Sequence, residues 1–153
     1  MRLRVKRWEM LLPITLDEAW QFFSRPENLA RITPTEMQFE VLSEIEGVPM
    51  YPGMIIQYKL RPLLGIPANW VTEITHVREP HYFVDEQRFG PYQCWHHEHH
   101  FKEQNGQTLM TDILHYSIPF GILGRWMDAV IVHRKVNQIF AYRESILNKI
   151  FNQ

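Results

Sequence analysis

Five consecutive residues, His96-His97-Glu98-His99-His100, hold four of the eight histidines of this 153-residue chain, flanked by Trp95 and Phe101. Imidazole titrates near neutral pH, donates or accepts hydrogen bonds and ligates metals. The run alternates like a strand, so pleating divides it. His97 and His99 share one face with Trp95 and Phe101; Cys94, His96, Glu98, His100 and Lys102 take the other. Asn105-Gly106 is the strongest hairpin signal in the chain. A two-residue turn there opposes Phe101 to Met110, His99 to Asp112, His97 to Leu114 and Trp95 to Tyr116. On the preceding hairpin, a register with Gln87 facing Trp95 puts Asp85 opposite His97 and Phe83 opposite His99. The expected pairs are therefore Asp85–His97 and His99–Asp112, with Cβ atoms about 4.5–5.5 Å apart.

Three chemistries suit such residues. A His oriented by a carboxylate can move protons, which fits enolisation, aldol cyclisation or dehydration of a carbonyl compound. The catalytic candidates are then His97, His99, Asp85 and Asp112. Two histidines and a carboxylate can also hold a metal, but hydrogen-bonded His–Asp pairs are the simpler expectation, and no metal or cofactor is assigned. The third is a polar patch that fixes part of a bound molecule. His-Glu-x-x-His is absent, since Phe101 stands four residues after His97. No Ser sits in a Gly-x-Ser-x-Gly elbow, and Cys94 faces outward. His96 and His100 face solvent and receive no role.

The elements that must position these residues follow from turn signals. Residues 3–12 are extended. Thr15 and Glu18 form a capping box for a short helix through Phe23, and Pro26 opens a second short helix that Pro34 stops. Strands are expected at 38–45, 54–61, 68–77, 81–89, 93–103 and 107–118, with a long helix from Gly124 to Ile150. Strands in a run with segregated helices give an α+β fold. The expected form is a curved antiparallel sheet of about seven strands wrapped round the C-terminal helix, as one domain over 1–153. Ile122, Trp126, Ala129, His133, Val136, Phe140, Arg143 and Leu147 form the helix stripe that should face the sheet, with Arg143 snorkelling or pairing with a Glu. Leu63, Leu64, Ile66, Tyr92, Phe120, Ile122 and Leu123 converge at one end of the sheet as an apolar rim.

With 16 basic against 17 acidic residues, the chain lacks the cationic footprint of non-specific nucleic-acid binding. One Cys excludes an internal disulfide and a Cys-based zinc site. No signal-peptide core follows the basic N-terminal residues, and no apolar run is long enough to span a membrane, so a cytoplasmic protein is expected.

Phe22-Phe23-Ser24-Arg25-Pro26-Glu27-Asn28-Leu29 with Ile32-Thr33-Pro34 resembles the first helices of the SRPBCC group within the START-like helix-grip superfamily. Phe83-Val84-Asp85-Glu86-Gln87, Gly90-Pro91-Tyr92 and Trp95 to Phe101 resemble the middle strands of one bacterial branch of it. The resemblance covers about residues 3–145. It implies a helix-grip fold with a cavity between sheet and helix, in a superfamily that includes lipid carriers, hormone receptors and polyketide aromatase/cyclases. Three functions follow as expectations. The first is binding of a small hydrophobic, aromatic or lipid-like molecule. The second is a cyclase- or dehydratase-like enzyme with an inward His as acid–base. The third is a non-catalytic regulatory protein with a filled core. The expected ligand-binding residues are Tyr58, Trp70, Thr72, Asp85, Gln87, Trp95, His97, His99, Asp112, Tyr116, Trp126 and His133. The outer apolar residues Val71, Val84, Leu109 and Ile113 leave room for a homodimer.

Overall fold

The computed structural model describes residues 3–63 and 65–152, without the side chains of Leu63 and Arg125. The elements run β1 (Arg4–Leu12), α1 (Leu16–Phe23), α2 (Pro26–Arg31), β2 (Glu40–Val41), β3 (Met54–Leu63), β4 (Ile66–Arg78), β5 (Tyr82–Phe89), β6 (Cys94–Gln104) and β7 (Gln107–Ser117). Then come α3 (Gly121–Met127), a π turn (Asp128–Val132) and α4 (His133–Phe151). The last three stack into one C-terminal helix of 31 residues, roughly 46 Å long at 1.5 Å per residue. The sheet order is β1-β7-β6-β5-β4-β3-β2, all antiparallel. This is the expected α+β helix-grip.

Local chemistry explains most boundaries. Thr15 and Glu18 cap α1 reciprocally, and Pro26 occupies the first turn of α2, where its missing N–H costs nothing. Asn105 and Gly106 both have positive φ, 54° and 77°, the backbone that a tight hairpin turn demands. The β6–β7 register is the one expected, with His99 opposite Asp112 and Trp95 opposite Tyr116. Asp85 stands opposite His97 and Phe83 opposite His99.

Three boundaries differ. The expected strand 38–45 shrinks to Glu40–Val41, because the Ser43 hydroxyl accepts the Gln57 N–H at 2.8 Å and so replaces the next backbone partner. The expected 61–67 loop is largely strand: β3 and β4 continue past a register shift between Leu60 and Leu63, where a bulge accommodates Pro62. Further shifts lie between Val71 and Thr72 and between Ile74 and His76, and such irregularities bend a sheet.

The third difference is in the C-terminal helix. The expected stripe holds for Val136, Phe140, Arg143 and Leu147, all buried. Towards the N-terminus it slips by one residue. Asp128 and Val132 are buried in place of Ala129 and His133, and Ile122 and Trp126 are exposed. The cause is the π turn, whose extra residue rotates everything before it relative to a 3.6-residue period.

The interior has three apolar parts. Leu12, Trp20, Phe83, Phe101 and Leu147 belong to one under α1. Met54, Ile56, Tyr58 and Trp70 belong to another on β3 and β4. Leu114, Tyr116, Val136 and Phe140 join α4 to β7 in the third. Trp8 of β1 stacks on Phe140 at 3.6 Å between ring centroids.

Candidate functional site

Four inward side chains of β5, β6 and β7 form a polar network on the concave face. Asp112 Oδ1 accepts from His97 Nε2 and lies 2.9 Å from it; His99 Nδ1 is also 2.9 Å from the same oxygen. His99 Nε2 donates to Asp85 Oδ2 at 2.8 Å, and His97 Nδ1 lies 3.6 Å from that atom. The hydrogen bonds thus run on the diagonal, His97 to Asp112 and His99 to Asp85, and not along the expected cross-strand pairs, because each ring leans along its strand past the residue opposite. Of the cross-strand approaches, only that of His99 to Asp112 is close. Asp112 is almost completely buried, His97 and His99 are buried, and Asp85 is half-buried. Phe83 stacks on the His99 ring, with centroids 4.2 Å apart.

The protonation states follow from this bonding. Burial opposes charge on His99, but the hydrogen bonds to Asp112 and Asp85 outweigh it, and its pKa is raised. Burial and the neighbouring His99 lower His97. Burial pushes both carboxyls up. For Asp85 the bond from His99 and the charges of His97, His99 and Arg143 prevail; for Asp112 the bonds from both histidines do. Asp85 ends lower and Asp112 well below the usual carboxylate range. The carboxylate oxygens beside both of its nitrogens therefore favour the imidazolium form of His99. His97 is neutral, with its proton on Nε2 and a lone pair on Nδ1.

Arg143 completes the charge balance. It is buried, not snorkelling, and its partner is Asp112 rather than a Glu: Nη1 lies 3.9 Å from Asp112 Oδ1. Its guanidinium sits 4.8 Å from the Phe140 ring centre, and Nε has no partner among the described residues. Two carboxylates against one imidazolium and one guanidinium leave the group neutral, which is what burial of charge requires.

His97, His99, Asp85 and Arg143 form one wall of a cavity between the sheet and the helices. Tyr58, Trp70, Thr72 and Trp95 line it too, as expected from the sequence. The space open to water centres is about 140 Å³, room for roughly ten waters or on the order of 300 Å³ of molecular volume, the lower end of small-molecule sites. Trp70 and Trp95 meet edge to face at 5.2 Å, and Trp70 Nε1 donates to Thr72 Oγ1 at 3.0 Å. Burial, then the charges of Asp85 and Glu27, push the Tyr58 hydroxyl far above its ordinary pKa, so it is a neutral donor.

Five of the expected residues lie elsewhere. Gln87 clamps the β5–β6 turn: its Nε2 donates to the Tyr92 carbonyl at 2.7 Å and its Oε1 accepts the Tyr92 N–H. Asp112 lines a second, smaller cleft with Trp8 and Glu144, and Arg143 borders both spaces. Tyr116 is buried in the α4–β7 core, where its hydroxyl donates to Asp128 Oδ1 at 3.1 Å. Trp126 is 68% exposed, and His133 lies 3.5 Å from Lys6 Nζ, both carried away by the π turn. Of the expected apolar rim, only Tyr92 lines the cavity. Ile66, Phe120, Ile122 and Leu123 are exposed, while the Leu63 side chain and Leu64 lie outside the described residues.

Several lining residues escaped the sequence. Phe22, Phe23, Leu29, Met37, Phe39 and Met50 close the cavity from the helices and the segment around β2. Their signal was an excess of large apolar residues over what two short helices can bury. A six-residue helix is too short for periodicity to say where it faces.

Among the described residues no helix is long and apolar enough to cross a membrane. No family model matches the sequence, and no curated protein matches it. Solved structures do. A Chromobacterium violaceum protein superposes with a TM-score of 0.73 at 12% identity, over 97% of this chain and 98% of that one. Major latex-like protein 151 of Panax ginseng gives 0.70 at 13% identity, over 97% of each chain. A START superfamily protein of Mycobacterium smegmatis gives 0.65 at 13%, over 97% and 98%. Sequence pattern, sheet topology and these superpositions agree, and the chain has the START-like helix-grip fold of the SRPBCC group.

Proposed function

We propose that this protein binds a small, mostly apolar molecule, aromatic or lipid-like, in the cavity between sheet and C-terminal helix, as a cytoplasmic carrier or receptor. The observation that supports this is one wall of ionisable side chains, His97, His99, Asp85 and Arg143, in a space otherwise lined mainly by aromatic and aliphatic residues. An apolar body would lie against Trp70, Trp95, Phe39 and Leu29. A carbonyl or carboxylate end would accept from Arg143 and the Tyr58 hydroxyl, and a hydroxyl end would donate to the His97 Nδ1 lone pair. The cavity weighs against a filled core with a purely regulatory role.

Native mass spectrometry of freshly purified protein tests the proposal. A stoichiometric co-purifying small molecule is expected, absent from Leu29→Trp, which fills the cavity from α2. A folded wild-type protein that carries no ligand and binds neither a fatty acid nor a naphthoic acid overturns it.

One observation favours a second reading, acid–base catalysis. His97 is neutral, its Nε2 is fixed by Asp112, and it lines the cavity. That is the arrangement of a general base acting on a carbonyl compound. His97→Gln and His99→Gln should then abolish turnover of a β-keto substrate in folded protein, and unchanged turnover removes this reading.

A further inference from the structure

The opposite face of β6 carries a second histidine cluster, which the cavity does not use. His96 and Glu98 are two residues apart on one strand and therefore share the outer face. His115 of β7 is directly opposite His96. One donor atom from each of His96, Glu98 and His115 falls within 4.8 Å of the others. His96 Nε2 and Glu98 Oε1 are 3.5 Å apart. Ligands at about 2.1 Å in a tetrahedron lie about 3.4 Å apart, so this pair already has the spacing of a zinc site.

The outer partners are arranged as second partners of metal ligands are. Glu86 Oε1 accepts from His96 Nδ1 at 2.8 Å, which fixes the proton on Nδ1 and leaves the Nε2 lone pair towards Glu98. Glu98 Oε2 accepts from His100 Nε2 at 2.8 Å, which holds that carboxylate and leaves Oε1 free. A ligating His commonly donates its other N–H to a carboxylate in this way. His115 Nδ1 is shut off from water and has no partner among the described residues. Hydrogen bonding within the sheet therefore leaves this His short of a partner.

The inner trio Asp85, His97 and His99 is equally close-set, but its nitrogens are engaged. Both His99 nitrogens and His97 Nε2 lie within 2.9 Å of a carboxylate oxygen. An ion there would have to displace a proton shared with a carboxylate. The outer cluster asks for no such exchange.

We propose that His96, Glu98 and His115 bind a divalent transition ion, Zn²⁺, on the outer face of the sheet. Two imidazoles and one carboxylate suit this ion. The fourth position faces solvent and takes water. The rigid β6–β7 ladder presets the donors, with Glu86 and His100 holding two of them in orientation.

The test uses the full chain and the metal alone. Co²⁺ titration should give the visible d–d absorption of a tetrahedral site with one ion per chain, displaced by one equivalent of Zn²⁺. In the wild type, Co²⁺ should broaden the ring resonances of His96 and His115 well before those of His97 and His99. His96→Asn and His115→Asn should each weaken Zn²⁺ binding at least tenfold, whereas His99→Gln should leave it unchanged. Glu86→Gln should weaken it by a smaller factor. Binding below a tenth of an equivalent at micromolar Zn²⁺ overturns the proposal. So does broadening centred on His97 and His99, which needs no variant to observe.

Discussion

The His97 and His99 rings lie 3.9 Å apart between centroids, yet their surroundings shift their proton affinities in opposite directions. His99 has a carboxylate at each nitrogen within 2.9 Å, whereas His97 has one that close. In a buried site that difference decides which ring keeps the second proton. The neutral ring is the one left with a lone pair.

This asymmetry predicts a stability curve with an acid limb from His97 and an alkaline limb from His99. Below the ordinary histidine pKa an unfolded chain protonates both histidines while the fold protonates only His99, so stability falls as His97 is forced to charge. Above it the unfolded chain releases both protons while the fold keeps one, so stability falls as pH rises through the raised pKa of His99. Each limb has a slope of at most about 1.4 kcal/mol per pH unit. The carboxylates add a further loss below about pH 4, since both are lowered in the fold. Urea unfolding from pH 4 to 9 measures the curve. His99→Gln should remove the alkaline limb.

Asp112→Asn should be the most damaging conservative change in the network. It takes away the charge that both histidines face, in a side chain only 2% exposed. Breaking a buried pair of this kind costs about 3–5 kcal/mol. Chemical denaturation at pH 7 should show that loss, and NMR titration should find the His99 pKa displaced downwards. Arg7→Gln, at an exposed pair with Glu9, should leave stability unchanged and serves as the control.

Asp128 anchors the π turn. It receives the Tyr116 hydroxyl and pairs with Arg4. Asp128→Ala leaves a buried phenol without its acceptor, a cost of about 1–3 kcal/mol. Adding Tyr116→Phe should return part of that cost. A double-mutant cycle by thermal unfolding reads the coupling, and strict additivity would show that the two residues do not interact.

Gly124→Ala should destabilise, although Gly to Ala in a helix ordinarily stabilises by about 1 kcal/mol. A Cβ at this position would stand 1.8 Å from the Pro119 carbonyl oxygen, a backbone atom that cannot swing aside. The expected cost is about 1–3 kcal/mol, read as a lower Tm, and a raised Tm would mean that the start of α3 relaxes freely.

Much of the site was legible in the sequence because hairpin register is a local property. Asn105-Gly106 admits one tight turn, and period-two alternation then sends His97, His99 and Asp112 to one face, which Asp85 joins through the register of the preceding hairpin. Periodicity specifies a face, however, and not which part of it another element covers. Arg143 divides that face, so Asp112 lies behind the cavity and Tyr116 is sealed under α4. The helices around Phe22 and Leu29 close the cavity through packing that no short-range pattern records.

The sequence by itself determined the α+β order, the caps, the turns and the opposition of two histidines to two aspartates. Tertiary structure alone decided the rest. Diagonal bonding made the two pairs into one four-membered network with unequal proton affinities. One extra residue in the π turn moved Trp126 and His133 off the inner stripe and brought Asp128 and Val132 onto it. Both outcomes depend on contacts between distant elements, Asp85 with His99 and Tyr116 with Asp128, which no local pattern of residues specifies.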